Sequence, residues 1–218
     1  MMTIGVCITT HNEAWNIGAL VEQLCHFAFR VYVVDAGSTD GTWRKASDAG
    51  ANAVMAETRL PIADAMWMAW DRAIYDDCER IIQIDAGGSH DPREAIRLSS
   101  MLKRADVVIG SRFALGARYI GNPPRALLSR LATRMCNLKT GAKLTDWTSG
   151  YRAFTRDAIL KLKECDYQAH MHGWQIEVLQ AARRLEMKIV EVPITYRAGR
   201  SSFDSRIARE AYRVWRNL

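Results

Sequence analysis

No stretch of this 218-residue chain approaches the roughly 20 consecutive apolar residues that crossing a bilayer requires, so the sequence predicts no membrane-spanning helix. The opening Met-Met-Thr-Ile-Gly-Val-Cys-Ile has no basic flank and no small-residue cleavage site, and it reads as no secretion signal. The five cysteines are odd in number, widely scattered and without a CxxC pair. That pattern argues against a zinc site and a disulfide framework, and it points to a reducing cytosol. Internal repeats, low-complexity segments and long linkers are missing too, which favours one compact domain over two independent ones. What is present, 49% hydrophobic and 25% charged residues, is globular composition and excludes disordered and fibrous classes.

Acid is scarce in one half only. Residues 1–110 hold 15 acidic and 10 basic side chains, whereas residues 111–218 hold 9 and 20. So lopsided a balance predicts that the second half meets an anionic partner.

Strand and helix patterns alternate along the chain. Ile4–Thr9 is a β-rich run, and Asn12 offers a cap for a helix over Ala14–His26. Arg30–Asp35, Asn52–Met55, Arg80–Asp85 and Ala105–Gly110 read as further strands, with helices between them, one of them opening at Asp91-Pro92. Beyond Gly121-Asn-Pro-Pro124 a basic helix is expected through Leu138, then a loop from Asp146 into a strand, two helices and a strand over Lys188–Pro193. Alternation at this spacing predicts a doubly wound, parallel α/β sheet. Asp35, Asp85 and Ser111 fall at or just beyond strand C-termini, where open α/β sheets bind their ligands.

Three features carry chemistry. Carboxylates at two strand ends, Asp35 and Asp85, can accept hydrogen bonds from a base or ribose or ligate a divalent cation. Arg112 after a strand and Arg125 on the next segment suit bidentate phosphate binding. Asp146, in Asp-Trp-Thr-Ser-Gly-Tyr-Arg152, can supply a base.

Taken in order, the segments are Thr10-His-Asn-Glu13, Val33-Val-Asp35-Ala-Gly-Ser38-Thr-Asp40-Gly-Thr42, Ile84-Asp85-Ala-Gly-Gly-Ser-His90-Asp-Pro92, Val108-Ile-Gly110-Ser-Arg112, Asp146-Trp-Thr-Ser-Gly150-Tyr-Arg152, Gln175-Ile-Glu177 and Glu191-Val-Pro193-Ile-Thr. With them the chain resembles family-2 glycosyltransferases, most of all the polyprenol (dolichol) phosphate mannosyl- and glucosyltransferase branch, from Ile4 to about Ser202. The resemblance implies a GT-A fold, a Rossmann-like, mostly parallel sheet flanked by helices. It also implies inverting transfer of a sugar from a nucleoside-diphosphate donor to an acceptor, a polyprenyl phosphate in that branch. Thr10 and Glu13 match the nucleotide pocket, and Asp35 the carboxylate that recognises the base. Asp85 matches the first acid of Asp-x-Asp, which holds the metal, Mg²⁺ or Mn²⁺, and the donor diphosphate. Arg112 and Arg125 match arginines that contact the acceptor phosphate. On this reading residues 1–110 bind the nucleotide sugar and 111–204 the acceptor.

Two departures stand out: Gly87 replaces the second acid of Asp-x-Asp, and Ala36 the second Asp of Val-Asp-Asp-Gly-Ser. They leave the metal in question, with Asp85 as sole carboxylate ligand and His170 or His172 as additional candidates. A phosphate acceptor needs no general base; a hydroxyl acceptor, on a modified DNA base or a glycan, would need one, and Asp146 is the candidate. Seven tryptophans offer stacking for an extruded base, although no groove-reading motif is present. A third alternative is an inactive, glycosyltransferase-like binding protein. Residues 205–218 read as a basic amphipathic helix, with Ile207, Ala211, Val214, Trp215 and Leu218 on one face and Arg206, Arg209, Arg213 and Arg216 on another. Such a helix can lie on an anionic membrane from the cytoplasmic side or pack on the domain.

Overall fold

The computed structural model describes residues 3–199 and 212–217. Its strands are β1 (Ile4–Thr10), β2 (Arg30–Asp35), β3 (Asn52–Met55), β4 (Arg80–Gln83), β5 (Val107–Ser111), β6 (Arg118–Ile120), β7 (Arg152–Thr155), β8 (Ile189–Pro193) and β9 (Thr195–Arg197). The helices are α1 (Ile17–His26), α2 (Thr42–Asp48), α3 (Ile62–Tyr75), α4 (Glu94–Met101), α5 (Pro123–Thr140), α6 (Arg156–Lys163) and α7 (Trp174–Arg184). Seven strands form one sheet in the order β3-β2-β1-β4-β7-β5-β8, and β6 and β9 form a small second sheet.

Both faces of the large sheet are covered, as strand sequences with two apolar faces demand. Successive residues alternate between two cores. Cys7, Ile81, Val107, Ile109 and Phe154 join Trp70, Trp147 and Trp174 under α3, α6 and α7. Val6, Ile8, Ile82, Val108 and Ala153 join Ile17, Leu24 and Leu98 under α1, α2 and α4. Three of the seven tryptophans are therefore fully buried core and unavailable to stack on a ligand.

The sheet is mostly parallel, with one exception that positions the site. β7 runs antiparallel between β4 and β5, pairing Arg152 with Gln83 on one side and Ile109 on the other. Because its direction is reversed, its N-terminal end meets the C-terminal ends of its neighbours. The loop 146–151 therefore lies on the edge where β1, β2, β4 and β5 finish.

Two expectations change. Asn12 does not cap α1, which starts at Ile17. Asn12 instead takes a left-handed backbone (φ 57°), which Asn tolerates better than most residues, and ties two loops together. Of the terminal helix, residues 212–217 are helical, while Ile207, Ala211, Arg206, Arg209 and Leu218 lie outside the described residues. Val214 is buried, and Trp215 donates its Nε1 hydrogen to the Met135 carbonyl of α5 at 3.3 Å. The apolar side of this segment thus packs on the domain, with Arg213 and Arg216 exposed.

Candidate active site

Thr10 and Asp35 end adjacent strands and are register partners. Asp35 is fully buried, and its Oδ1 accepts hydrogen bonds from the Ser38 amide at 2.9 Å and the Ser38 hydroxyl at 2.5 Å. Asp35 Oδ2 and Thr10 Oγ1 are buried without a partner. Such orphaned polar atoms each cost about 1–3 kcal/mol, and N–H or O–H donors of a ligand would satisfy them. The loop around them is fixed by Asn12, whose amide donates to Ser38 Oγ and whose Oδ1 accepts from the Thr39 amide. Glu13 is anchored by its own amide on Thr42 Oγ1, and its Oε2 accepts from Trp15 Nε1.

Asp85 lies two residues beyond β4, with its side chain 54% exposed. His90 Nε2 is 3.2 Å from Asp85 Oδ2, and the His90 ring sits against Tyr151 and Tyr196 at centroid distances of 4.8 and 5.2 Å. Desolvation by the surrounding protein alone would raise the Asp85 pKa. The hydrogen bond and charge of His90, with the charges of His172 and Arg112, outweigh that and hold the carboxyl below its ordinary value. Gly150, from the loop entering β7, packs directly on this carboxylate. A Cβ there would lie 2.7 Å from Asp85 Oδ1 and 3.1 Å from Oδ2.

The absent second acid has a local counterpart. A Cβ on Gly87 would stand 3.5 Å from Glu13 Oε1, so the Glu13 carboxylate borders the turn that carries Asp85. Among the described residues no group of three or more His, Cys, Asp or Glu side chains is gathered as a metal cage. His170 Nδ1 lies 3.4 Å from Asp64 Oδ1 instead, and His172 acts on Asp85 through its charge. Asp85, open and ionised, still fits a divalent cation that takes its remaining ligands from a diphosphate and water, since such ions need only one or two carboxylates.

Asp146 and Arg112 form a buried ion pair, 0% and 5% exposed at the side chain. Asp146 Oδ2 accepts from Arg112 Nε at 2.7 Å and from its amide at 3.1 Å; Oδ1 accepts from Arg112 Nη2 at 2.8 Å and the Thr148 amide at 3.1 Å. Burial would raise the carboxyl pKa, but the Arg112 charge and hydrogen bonds outweigh it and lower it. Both oxygens are therefore engaged, and the carboxylate is a poor proton acceptor. Through both oxygens Asp146 holds the Arg112 side chain in place. Glu191 of β8 braces the loop by accepting from the amides of Thr145 and Asp146 at 2.7 and 2.9 Å. Arg152, fully buried, donates to the Gln175 and Trp147 carbonyls. Burial pushes its guanidinium down to about 9, which still leaves it charged at neutral pH.

Arg112 is thus turned inward, its guanidinium carbon 5.3 Å from the centre of the Tyr196 ring. Arg125, half-buried in the first turn of α5, is the more open of the two expected phosphate ligands. Its charge reaches the Tyr119 hydroxyl, whose oxygen is buried without a partner; burial raises the Tyr119 pKa and Arg125 counteracts it. Tyr119 stacks on Phe113, and Arg130 covers the Phe113 ring at 4.9 Å. An aromatic wall thus runs from His90 through Tyr196 and Tyr119 to the arginines of α5.

Residues 5–163 match the model of glycosyl transferase family 2. The chain belongs to that family. It is 31% identical over 221 residues to the undecaprenyl-phosphate mannosyltransferase of Micrococcus luteus, covering 96% of this chain and 91% of the relative. Against the polyprenol monophosphomannose synthase of Mycolicibacterium smegmatis it is 32% identical over 201 residues, 88% and 76% of the two chains. Glucosyl-3-phosphoglycerate synthase from Mycobacterium tuberculosis, solved with Mn²⁺, uridine diphosphate and glucosyl-3-phosphoglycerate, superposes with a TM-score of 0.73 at 20% identity, covering 98% of this chain and 77% of that one. The GT-A fold and a glycosyltransferase activity follow.

Within this family-2 chain, the sequence brings Thr10, Glu13, Asp35 and Asp85 to one edge as expected. Residue patterns alone did not single out His90, Gly150 or Glu191 for the roles they take. All three stand inside motifs, and only the fold shows what they touch: His90 meets Asp85, while Gly150 and Glu191 act on or through the loop before β7. No helix among the described residues is long and apolar enough to cross a membrane.

Proposed function

We propose that this glycosyltransferase moves a sugar, with inversion, from a nucleoside-diphosphate sugar to a polyprenyl phosphate. The observation that carries the reading is the Asp146–Arg112 pair. It engages the candidate base at the acceptor side, so the acceptor that fits is one arriving already as an anion. The names of the two mannosyltransferase relatives point the same way.

Thr10 Oγ1 and Asp35 Oδ2 receive donors from the nucleoside, with Glu13 beside the pocket. Asp85, held by His90 and Gly150, faces the diphosphate and would hold a divalent cation there. When bound, that cation supplies countercharge to the departing diphosphate. Arg125 holds the acceptor phosphate, and Arg112, fixed by Asp146, adds positive potential behind it. A phosphate oxygen attacks the anomeric carbon while the bond from that carbon to the diphosphate oxygen breaks. A new phosphodiester link to the sugar and a nucleoside diphosphate result. The nucleophile carries no proton to remove, so positioning does the remaining work.

The test is transfer from a panel of nucleotide sugars to a short-chain polyprenyl phosphate, with and without Mg²⁺ or Mn²⁺. Arg125→Ala is expected to raise KM for the acceptor about tenfold, the loss of one charge-assisted contact, with donor KM unchanged. Transfer to a hydroxyl acceptor alone overturns the reading, and absence of any transfer or donor hydrolysis would favour a binding protein.

A further inference from the structure

We propose that the outward face of α5, with the loop before it, is a docking surface for an anionic lipid bilayer. Between Asp106 and Asp146 the chain has no acidic residue and seven basic ones. Of the 18 residues of α5, only Thr133 and Cys136 are fully buried. Its outward stripe at helical spacing is Leu127, Arg130, Leu131, Arg134 and Leu138. The leucines are 69%, 52% and 78% exposed. A helix whose other face already meets the domain would ordinarily present polar residues to water. This one presents leucines flanked by arginines, and Leu115, in the loop before β6, is fully exposed as well.

Charge decides the occupant. Apolar side chains ringed by arginine suit the boundary of an anionic membrane, where leucines enter the acyl region and guanidinium groups meet phosphates. A second copy fits poorly, because a two-fold contact through this face would set arginine against arginine. Arg125 opens the same helix, so docking would turn the acceptor side toward the bilayer. In that purpose the inference rests on the lipid-linked acceptor proposed above, whereas binding to vesicles does not depend on it.

The test is co-sedimentation with vesicles of phosphatidylcholine alone or mixed with phosphatidylglycerol, all lacking polyprenyl phosphate. The chain is expected to bind the mixed vesicles, more weakly as salt rises, and to bind the neutral ones little. Leu127→Gln with Leu131→Gln is expected to weaken binding about tenfold or more while thermal stability and nucleotide-sugar binding stay unchanged. Turnover of a short-chain acceptor in solution should also survive, while turnover of a long-chain acceptor in vesicles falls. No binding to mixed vesicles, equal binding by the double variant, or a dimer that the variant dissociates would overturn the proposal. Vesicle binding without transfer to either acceptor would leave the surface standing and remove the acceptor assignment.

Discussion

At the residue scale, Gly150 shows how one missing methyl group shapes a site. Its backbone is not in the left-handed region, so alanine brings no conformational strain there. The conflict is with the Asp85 carboxylate, the free end of a side chain that can swing aside. Gly150→Ala is therefore expected to change stability by less than about 1 kcal/mol, as a substitution without core disruption. Turnover should nevertheless fall about 100-fold, the scale of loss that a displacement near 1 Å produces in a reacting arrangement. Thermal unfolding and steady-state kinetics on the same preparation separate the two effects. Equal losses of stability and activity would reject a positioning role for Gly150. The same carboxylate is expected to be essential, so Asp85→Asn should abolish measurable turnover while leaving the fold intact.

At the element scale, the loop before β7 behaves as one unit with β8, because Glu191 holds the loop and Asp146 holds Arg112. Asp146→Asn leaves a buried guanidinium without its counter-ion and is expected to cost about 3–5 kcal/mol. The pH dependence has a definite sign. The carboxyl is lowered in the folded chain, so its contribution is present above the ordinary aspartate pKa and is lost as pH falls through the lower folded value. Below about pH 4 the native chain should lose stability more steeply than Asp146→Asn, measured by denaturant unfolding across pH. A parallel pH profile for the two proteins would contradict this. The elements themselves were largely legible in the residues: β2 and β3 stand where β-branched and small apolar runs placed them, and Pro123 and Pro124 open α5. The direction of β7 was not, because four residues such as Arg-Ala-Phe-Thr carry no record of the neighbour they will pair with. For the same reason Asp146 reads as a free base in sequence and is an ion-pair partner in the fold.

At the scale of the whole molecule, the split in charge has a spatial meaning. The acid-rich half supplies Asp35, Asp85 and the buried oxygens of Thr10 and Asp35, and the acid-free stretch supplies α5 and its arginines. The tryptophans hold the halves together: Trp70 from α3 packs on Trp174 from α7 and Phe154 from β7, with centroids 5.3 and 5.0 Å apart. Trp174→Ala is expected to cost about 3–5 kcal/mol and to lower the unfolding midpoint without altering substrate preference.

The reversed strand also bears on synthesis. β4 and β5 are both made before residue 112 but are joined in the sheet only through β7, which begins at residue 152. Until then each leaves an open hydrogen-bonding edge, and such edges pair readily with other chains. Residues 1–110 therefore have no complete sheet of their own to fold into as they leave the ribosome. A fragment ending at residue 145 is expected to aggregate or bind chaperones, whereas one extending through β8 should unfold cooperatively. In this chain the strand that joins the middle of the sheet is made after both of its neighbours, and only the edge strand β8 follows it, so the edge bearing Asp35 and Asp85 is completed only when the loop 146–151 is in place.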